Sequence, residues 1–439
     1  MTPIDAFERH LPSALTDLAV PATPDYLTDI LGRTAATRQR PAWASLERWL
    51  PVDIARTRVP TTRLPSRQVA LLVVLALLVA LTLATYIGTR TTRVPPPFGP
   101  AENGRLIYSA DGDIVMRDSL QTAPQVLISG PSIDHDPGYS PDGTKLVYLS
   151  DEGGKAYLTA SMGDGSNPHR ILDDPLGDNI HVTWAPDSQR LAVVNAPRGI
   201  PELSIVSVDG SGSRTVDLNG LRPTDIVWRP PDGHELLVRV IKPAELRADQ
   251  SPYTPIQFYV VDVDGSAAPR SVGIDPHDNF GPDWDNSGPD WSQDGMAIYY
   301  NVVDPAPGDP AGRYRIHRVN IDGTGDVVMP GPAAEVNEAW PIRSPDGKWL
   351  LVEHWTWADQ PDAHLTLAVL PADGSAPAHD VGPKVNDDKG VDRAWSPDGT
   401  RILARTGEST MLSIDPVSGS YEEIGWSATV FPDWQRRAR

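Results

Sequence analysis

A ten-residue unit, Trp395-Ser396-Pro397-Asp398-Gly399-Thr400-Arg401-Ile402-Leu403-Ala404, recurs with variations through the C-terminal three quarters of the chain. Its other versions begin at Tyr139, Trp184, Trp228, Trp291 and Arg343, at spacings of 45, 44, 63, 52 and 52 residues. Within each unit proline presets φ for the second position of a tight turn. Asp hydrogen-bonds the turn backbone, and Gly takes the φ > 0 position from which a new strand starts. An almost unbroken apolar run follows, as in Lys145-Leu146-Val147-Tyr148-Leu149, Arg190-Leu191-Ala192-Val193-Val194 and Trp349-Leu350-Leu351-Val352. Such runs fit strands covered on both faces, with the aromatic ahead of the turn packed between sheets. A second piece follows most of the first ones and ends in Asp-Gly, as in Leu203 to Gly210, Phe258 to Gly265, Ile316 to Gly323 and Leu365 to Gly374. Its alternation reads as an outer strand closed by a hairpin turn.

A period near fifty residues with about four strands in each is that of a propeller blade. The aromatic-Ser-Pro-Asp-Gly strand followed by a strand ending in Asp-Gly resembles the repeats of the Tol-B-like, WD-like propeller family, from about Asn103 to the C-terminus. That resemblance implies an all-β fold and leaves the function open, because such propellers serve as binding modules, enzyme scaffolds and accessory domains. Gly104-Arg105-Leu106-Ile107-Tyr108 and Asp113-Ile114-Val115-Met116 have no motif ahead of them. Thr429-Val430-Phe431-Pro432-Asp433-Trp434 is expected to supply the missing strand and close the ring. Counted so, there are seven units. The resemblance itself favours six blades, and the long interval from Trp228 to Trp291 leaves both numbers open.

Four regions follow: a segment 1–68, a hydrophobic span 69–88, a Pro-rich linker 89–102 and the propeller 103–439. Val69 to Ile87 is nineteen residues without a charge, about 28 Å as a helix and close to the thickness of a hydrocarbon core. It is read as one transmembrane helix. Arg48, Arg56, Arg58, Arg63 and Arg67 precede it and only Arg90 and Arg93 follow closely, which places the N-terminus in the cytoplasm and the propeller outside the cell membrane. Residues 1–68 hold nine Arg, no Lys and seven acids, a net of +2; the whole chain carries −20, so the remainder carries −22. A domain so acidic is kept off nucleic acid and anionic lipid. Pro95-Pro96-Pro97 and Pro100 make the linker a stiff extended spacer. With no cysteine anywhere, disulfides, thiolate metal sites and Cys nucleophiles are excluded.

In residues 1–68, Thr23-Pro24-Asp25 is a helix start, and Tyr26, Leu27, Ile30 and Leu31 then share one apolar face. This short, partly helical segment reads either as a tail near the membrane surface or as a docking site for a cytoplasmic regulator. A cytoplasmic helical segment, one membrane helix and an external sensor domain resemble the layout of membrane-bound anti-sigma factors, without the His and Cys ligands of their zinc-binding subgroup.

The loops entering the strand ahead of each motif are expected to ring one mouth of the channel. They carry Asp134, His135 and Asp136; Asp178 and His181; Asp225; Asp283, Asp285 and Asp290; Asn337 and Glu338; and Asp388. Converging acid and amide oxygens suit a hard cation such as calcium, although no loop has an ordered calcium-loop spacing, and solvated turn residues look the same. Apart from calcium no cofactor is expected. His135, His181 and His277 are candidates for metal binding or acid–base work. No Gly-x-Ser-x-Gly elbow and no Gly-rich phosphate loop occur. The expected function is therefore binding of a protein partner or small ligand by an external propeller, relayed to a cytoplasmic regulator. The alternatives are a propeller-type lyase or hydrolase and an envelope scaffold.

Overall fold

The computed structural model describes Leu71, residues 73–79 and residues 94–439, except 197–198, 242–244, 247–251, 254–255, 274–287, 307–308, 333–334, 357–363, 386–390, 407–409 and 429–430. The chain divides into two units, Met1–Thr91 and Thr92–Arg439. In the first, Leu71 and residues 73–79 are helical and exposed. Among the described residues no helix is long and apolar enough to cross a membrane. The rest of the Val69–Ile87 run lies outside them, as does the expected helical face of Tyr26, Leu27, Ile30 and Leu31.

The second unit contains seven four-stranded antiparallel sheets among its described residues, so the count of seven blades holds and the alternative of six does not. The motif strand is first in its blade: Ile133–Tyr139, Asp178–Trp184, Pro223–Trp228, Asp290–Trp291, Asn337–Arg343 and Asp392–Trp395. The apolar run comes second. In Lys145–Glu152 and Trp349–Trp355 it is buried over five successive residues, as strands sandwiched between neighbouring blades must be. The segments ending in Asp-Gly are the third strands rather than the edges, and Leu365–Pro371 is buried over six successive residues. Outside them lies a fourth strand without a sequence signature, short and exposed throughout in Ser213–Thr215 and Tyr421–Glu423 but seven residues long with Val381 buried in His379–Val385. An extra hairpin in blade four, Glu245–Leu246 with Pro252–Tyr253, takes up part of the long interval from Trp228 to Trp291.

Four of the six motif turns are locked by a Ser and an Asp of their own; Ala185 and Arg229 replace the Ser in the other two. Ser396 Oγ donates to Asp398 Oδ1 at 2.7 Å and accepts the Arg401 amide at 2.9 Å, while Asp398 Oδ1 also accepts the Thr400 amide at 3.0 Å. The same set recurs around Ser140 and Asp142, Ser292 and Asp294, and Ser344 and Asp346. Burial alone would push the Asp398 carboxyl up, but the Ser396, Thr400 and Asn103 donors outweigh it and hold it below the usual carboxylate range.

The motif aromatic joins one blade to the next. The indole N–H groups of Trp184, Trp228, Trp291 and Trp395 donate to the carbonyls of Gly138, Thr183, Val227 and Ile342, at 3.2, 3.3, 3.2 and 3.1 Å. Each acceptor directly precedes the motif position of the preceding blade, so these bonds run strand to strand around the channel. Where the motif position holds Tyr139 or Arg343 instead of Trp, the preceding blade supplies an Asp. Asp433 accepts the Tyr139 amide at 2.6 Å, and Asp290 accepts the Arg343 amide at 2.8 Å.

The C-terminus closes the ring as expected, with a later strand than anticipated. Asp433–Arg437 pairs with Glu102–Ala110, matching Ile107 to Asp433 and Leu106 to Trp434. The linker does more than space two parts. Arg436 on the closing strand donates to the carbonyls of Pro96 (3.0 Å) and Gly99. The Ala101 amide donates to Pro397 O at 2.8 Å in blade seven, and Asn103 exchanges hydrogen bonds with Asp398. Phe98 packs on the cluster that contains Ala185, Trp228 and Leu236, in blades three and four. Residues 96–103 therefore form a strap across the face that carries the Ser-Pro-Asp-Gly turns.

Candidate functional site in the channel

Registering each inner strand on its motif position defines the channel wall. Three residues ahead of that position stand Asp136, His181, Asp225, Gly288, Trp340 and Asp392 in blades two to seven. The inner strands of blades two, three, four and six shift register at or beside this level, between His135 and Gly138, Asp178 and His181, Pro223 and Asp225, and Ala339 and Ile342. A bulge there re-aims side chains out of the pleat and toward the channel.

On one side of the ring a cavity of about 370 Å³ is lined by His181, Thr183, Asp225, Ile226, Gly288, Asp290, Trp340 and Pro341, among others, from four consecutive blades. Asp225 is 9 % exposed. Its Oδ1 accepts the Ile226 amide at 2.8 Å and lies 3.3 Å from His181 Nδ1. That approach is close enough for ionic attraction but too poorly aligned for a hydrogen bond, and His181 Nδ1 has no hydrogen-bond partner. Asp225 Oδ2 faces Gly288, where a Cβ would meet it at 2.4 Å. Only glycine leaves room for the carboxylate at that point.

The remaining charges at this wall are compensated. Asp290 accepts the amides of Trp291 (2.7 Å) and Arg343, and the Arg343 Nε lies 4.0 Å from it. The Arg393 guanidinium is paired with the buried Glu353 and donates to Trp340 O at 2.9 Å. Trp340 has φ 58°, a left-handed backbone that a bulky side chain adopts only when its surroundings enforce it. The enforcement is visible. Its amide donates to Asn301 Oδ1 at 3.1 Å, its carbonyl is held by Arg393, and its ring stacks on Trp355 with centroids 5.0 Å apart and planes at 15°.

The residues expected at the mouth divide among several environments. His181 lines the cavity. Asp134 is buried and accepts from Ser132 (3.1 Å) and Ser150 (2.6 Å), a structural role. His135 lies between Asp136 (2.9 Å) and Asp151 (3.4 Å) in blade two, and the Asp136 hydrogen bond chiefly raises its pKa. Asn337 and Glu338 are fully buried instead of standing on a rim. Asn337 accepts the Tyr314 amide at 3.1 Å. Glu338 accepts from His354 at 3.0 Å, and His354 also meets Asp380 at 2.8 Å. Burial depresses the His354 pKa, but these two carboxylates outweigh it and the net direction is upward. Asp178 lies in the blade-three inner strand, with its side chain outside the described set. His277, Asp283, Asp285 and Asp388 lie outside the described residues. Among the described residues no group of three or more His, Cys, Asp or Glu is placed to hold a metal ion, so the expected calcium has no site there. Trp340 and Gly288 escaped the search for acids and imidazoles; their register relative to the motif would have found them.

No protein-family model matches the chain. Among solved structures it is similar to an oligogalacturonate lyase in complex with manganese, at 14 % identity and TM-score 0.52, covering 73 % of this chain and 85 % of that one. It is also similar to puromycin hydrolase, at 16 % identity and TM-score 0.53, covering 77 % of this chain and 55 % of that one. TolB from Acinetobacter baumannii overlays more loosely, at 14 % identity and TM-score 0.45, covering 77 % and 81 %. At these identities the likeness concerns the fold alone. The protein is thus a seven-bladed β-propeller whose relatives in shape include enzymes, and its own chemistry rests on the residues of its channel.

Proposed function

We propose that this chain is a binding protein held at a membrane, with a ligand seated in the channel cavity among His181, Asp225 and Trp340. The observation that carries this reading is Trp340: an indole kept in a left-handed backbone by Asn301 and Arg393, facing a cavity that four blades build together. Backbone strain of about 1–3 kcal/mol that the surroundings sustain at a cavity wall is a mark of a working site. A rigid aromatic beside a few fixed polar groups is the usual make-up of a small-ligand pocket. Calorimetric titration with neutral oligosaccharides, oligogalacturonates and amine-bearing peptides tests it. At least one class is expected to bind saturably, and at least tenfold more weakly to Trp340→Gly, which keeps the backbone conformation and removes the ring. Binding by no class, or binding indifferent to that change, would refute it. Conversion of oligogalacturonate, lost in His181→Ala, would move the protein to the enzyme class.

The tether is the uncharged run Val69 to Ile87, with residues 1–68 on the cytoplasmic side offering Tyr26, Leu27, Ile30 and Leu31 to a regulator. Support comes from the length of the run and the arginine asymmetry around it. Carbonate extraction of membranes, with a reporter fused after Arg439, decides the tether. Release into the soluble fraction or a cytosolic reporter would remove it. Capture of a soluble protein by residues 1–68 that is lost in Tyr26→Ala/Ile30→Ala tests the docking role.

A further inference from the structure

We infer that the ligand of the channel cavity carries a cationic nitrogen, a primary ammonium or guanidinium group, which pairs with Asp225 beside the Trp340 ring. This rests on the binding reading above and specifies its chemistry.

The argument begins with a charge left unbalanced. A carboxylate withdrawn from water is costly unless hydrogen-bonded donors or a cation compensate it. The other acids close to the wall meet that condition: Asp290 has two amides and Arg343 nearby, Glu353 has Arg393, and Asp392 has Arg405. Asp225 is largely buried, with 12 % of its side chain exposed, yet it receives only the amide of its own neighbour Ile226 and a misaligned imidazole at 3.3 Å. Among the described residues no Lys or Arg forms an ion pair with it, although Arg239 stands opposite it in the strand register, and none lines the cavity. Its Oδ2 is aimed across the gap kept open by Gly288, at the cavity wall.

The second element is the aromatic plane. A cation at the face of an indole is drawn to the ring by its quadrupole, the more so as binding displaces water from between them. A carboxylate and an aromatic ring on one wall suit a compact organic cation better than an anion or a bare metal. An anion would face Asp225 and Asp290, and among the described residues no Arg or Lys lines the cavity to receive it. A metal would want at least three converging ligands, which the described residues do not provide. The acidic propeller, net −22 with the 69–102 stretch included, draws cations toward it before they reach the channel.

The test compares benzylamine with benzyl alcohol, which share ring and shape and differ in charge. Binding to the purified full-length chain is measured by calorimetry at about 0.15 M salt, where long-range attraction to the acidic surface is screened. Benzylamine is expected to bind at least tenfold tighter than the alcohol. Asp225→Asn, which keeps an acceptor for the Ile226 amide, is expected to abolish that preference by weakening the amine at least tenfold more than the alcohol. Gly288→Ala, which pushes the carboxylate from its seat, should do the same by a second route if the Asn variant folds poorly. Equal binding of the two probes, no binding of benzylamine, or an amine preference that survives both variants would overturn the inference. A neutral oligosaccharide that still binds through Trp340 would leave the binding reading standing while this one fell.

Discussion

At the scale of single residues, Asp433 is the group whose chemistry is easiest to read. Its carboxylate sits at the seam, enclosed although the residue keeps some surface. Burial raises its pKa to about 6, against the pull of the Tyr139 and Trp434 amides and of Arg436. An acid whose pKa is higher folded than unfolded stabilises the fold at low pH. That contribution is complete below the ordinary value of 3.8 and is lost as pH rises through about 6. Asp433→Asn keeps an acceptor for Tyr139 and removes the charge. Thermal melts should therefore show wild type losing about 2 kcal/mol more than the variant between pH 4 and pH 7. Parallel profiles would mean that the carboxylate is better solvated than its surroundings indicate. The candidate site was partly legible at this scale. His181 and Asp225 stood out because imidazoles and acids near turns are conspicuous. Asn337 and Glu338 looked like rim residues because their partners, Tyr314 and His354, lie 23 and 16 positions away and follow no local pattern.

At the scale of elements, the blade is a turn that folds on its own chemistry and a strand pair that needs neighbours. Ser396→Ala removes the hydroxyl that bridges Asp398 and the Arg401 amide, and Trp395→Phe keeps the packing but leaves Ile342 O without its indole donor. Each should cost about 1 kcal/mol, read from the denaturant midpoint at unchanged slope. A slope that changed as well would show a blade separating from the cooperative unit. The first and second strands of blades two to seven were legible because the turn residues and double-sided burial mark them, and the Asp-Gly segments were legible as strands although they were placed at the edge instead of third. The fourth strands were not, since Ser213–Thr215 and Tyr421–Glu423 are exposed on both faces and any polar sequence can fill them. The extra hairpin of blade four appeared only as an over-long interval.

At the scale of the whole molecule, closure depends on one strand brought from the far end of the chain. The register of Asp433–Arg437 on Glu102–Ala110 leaves no room at Gly143, whose φ is +69° and whose added Cβ would stand 2.3 Å from Arg436 O. Gly143→Ala should cost more than about 2 kcal/mol, with loss of closing-strand protection in hydrogen exchange before the other blades open. Uniform loss of protection would argue that the ring opens as one body. The same arginine that sits at this seam also grips the Pro96 and Gly99 carbonyls of the strap. Any load arriving from the N-terminal side is therefore delivered first to the joint that keeps the circle whole. Pulled by its beginning in an optical trap, the molecule should unlatch there at low force and unravel inward from that latch, whereas pulling between two interior blades should meet a far stiffer body.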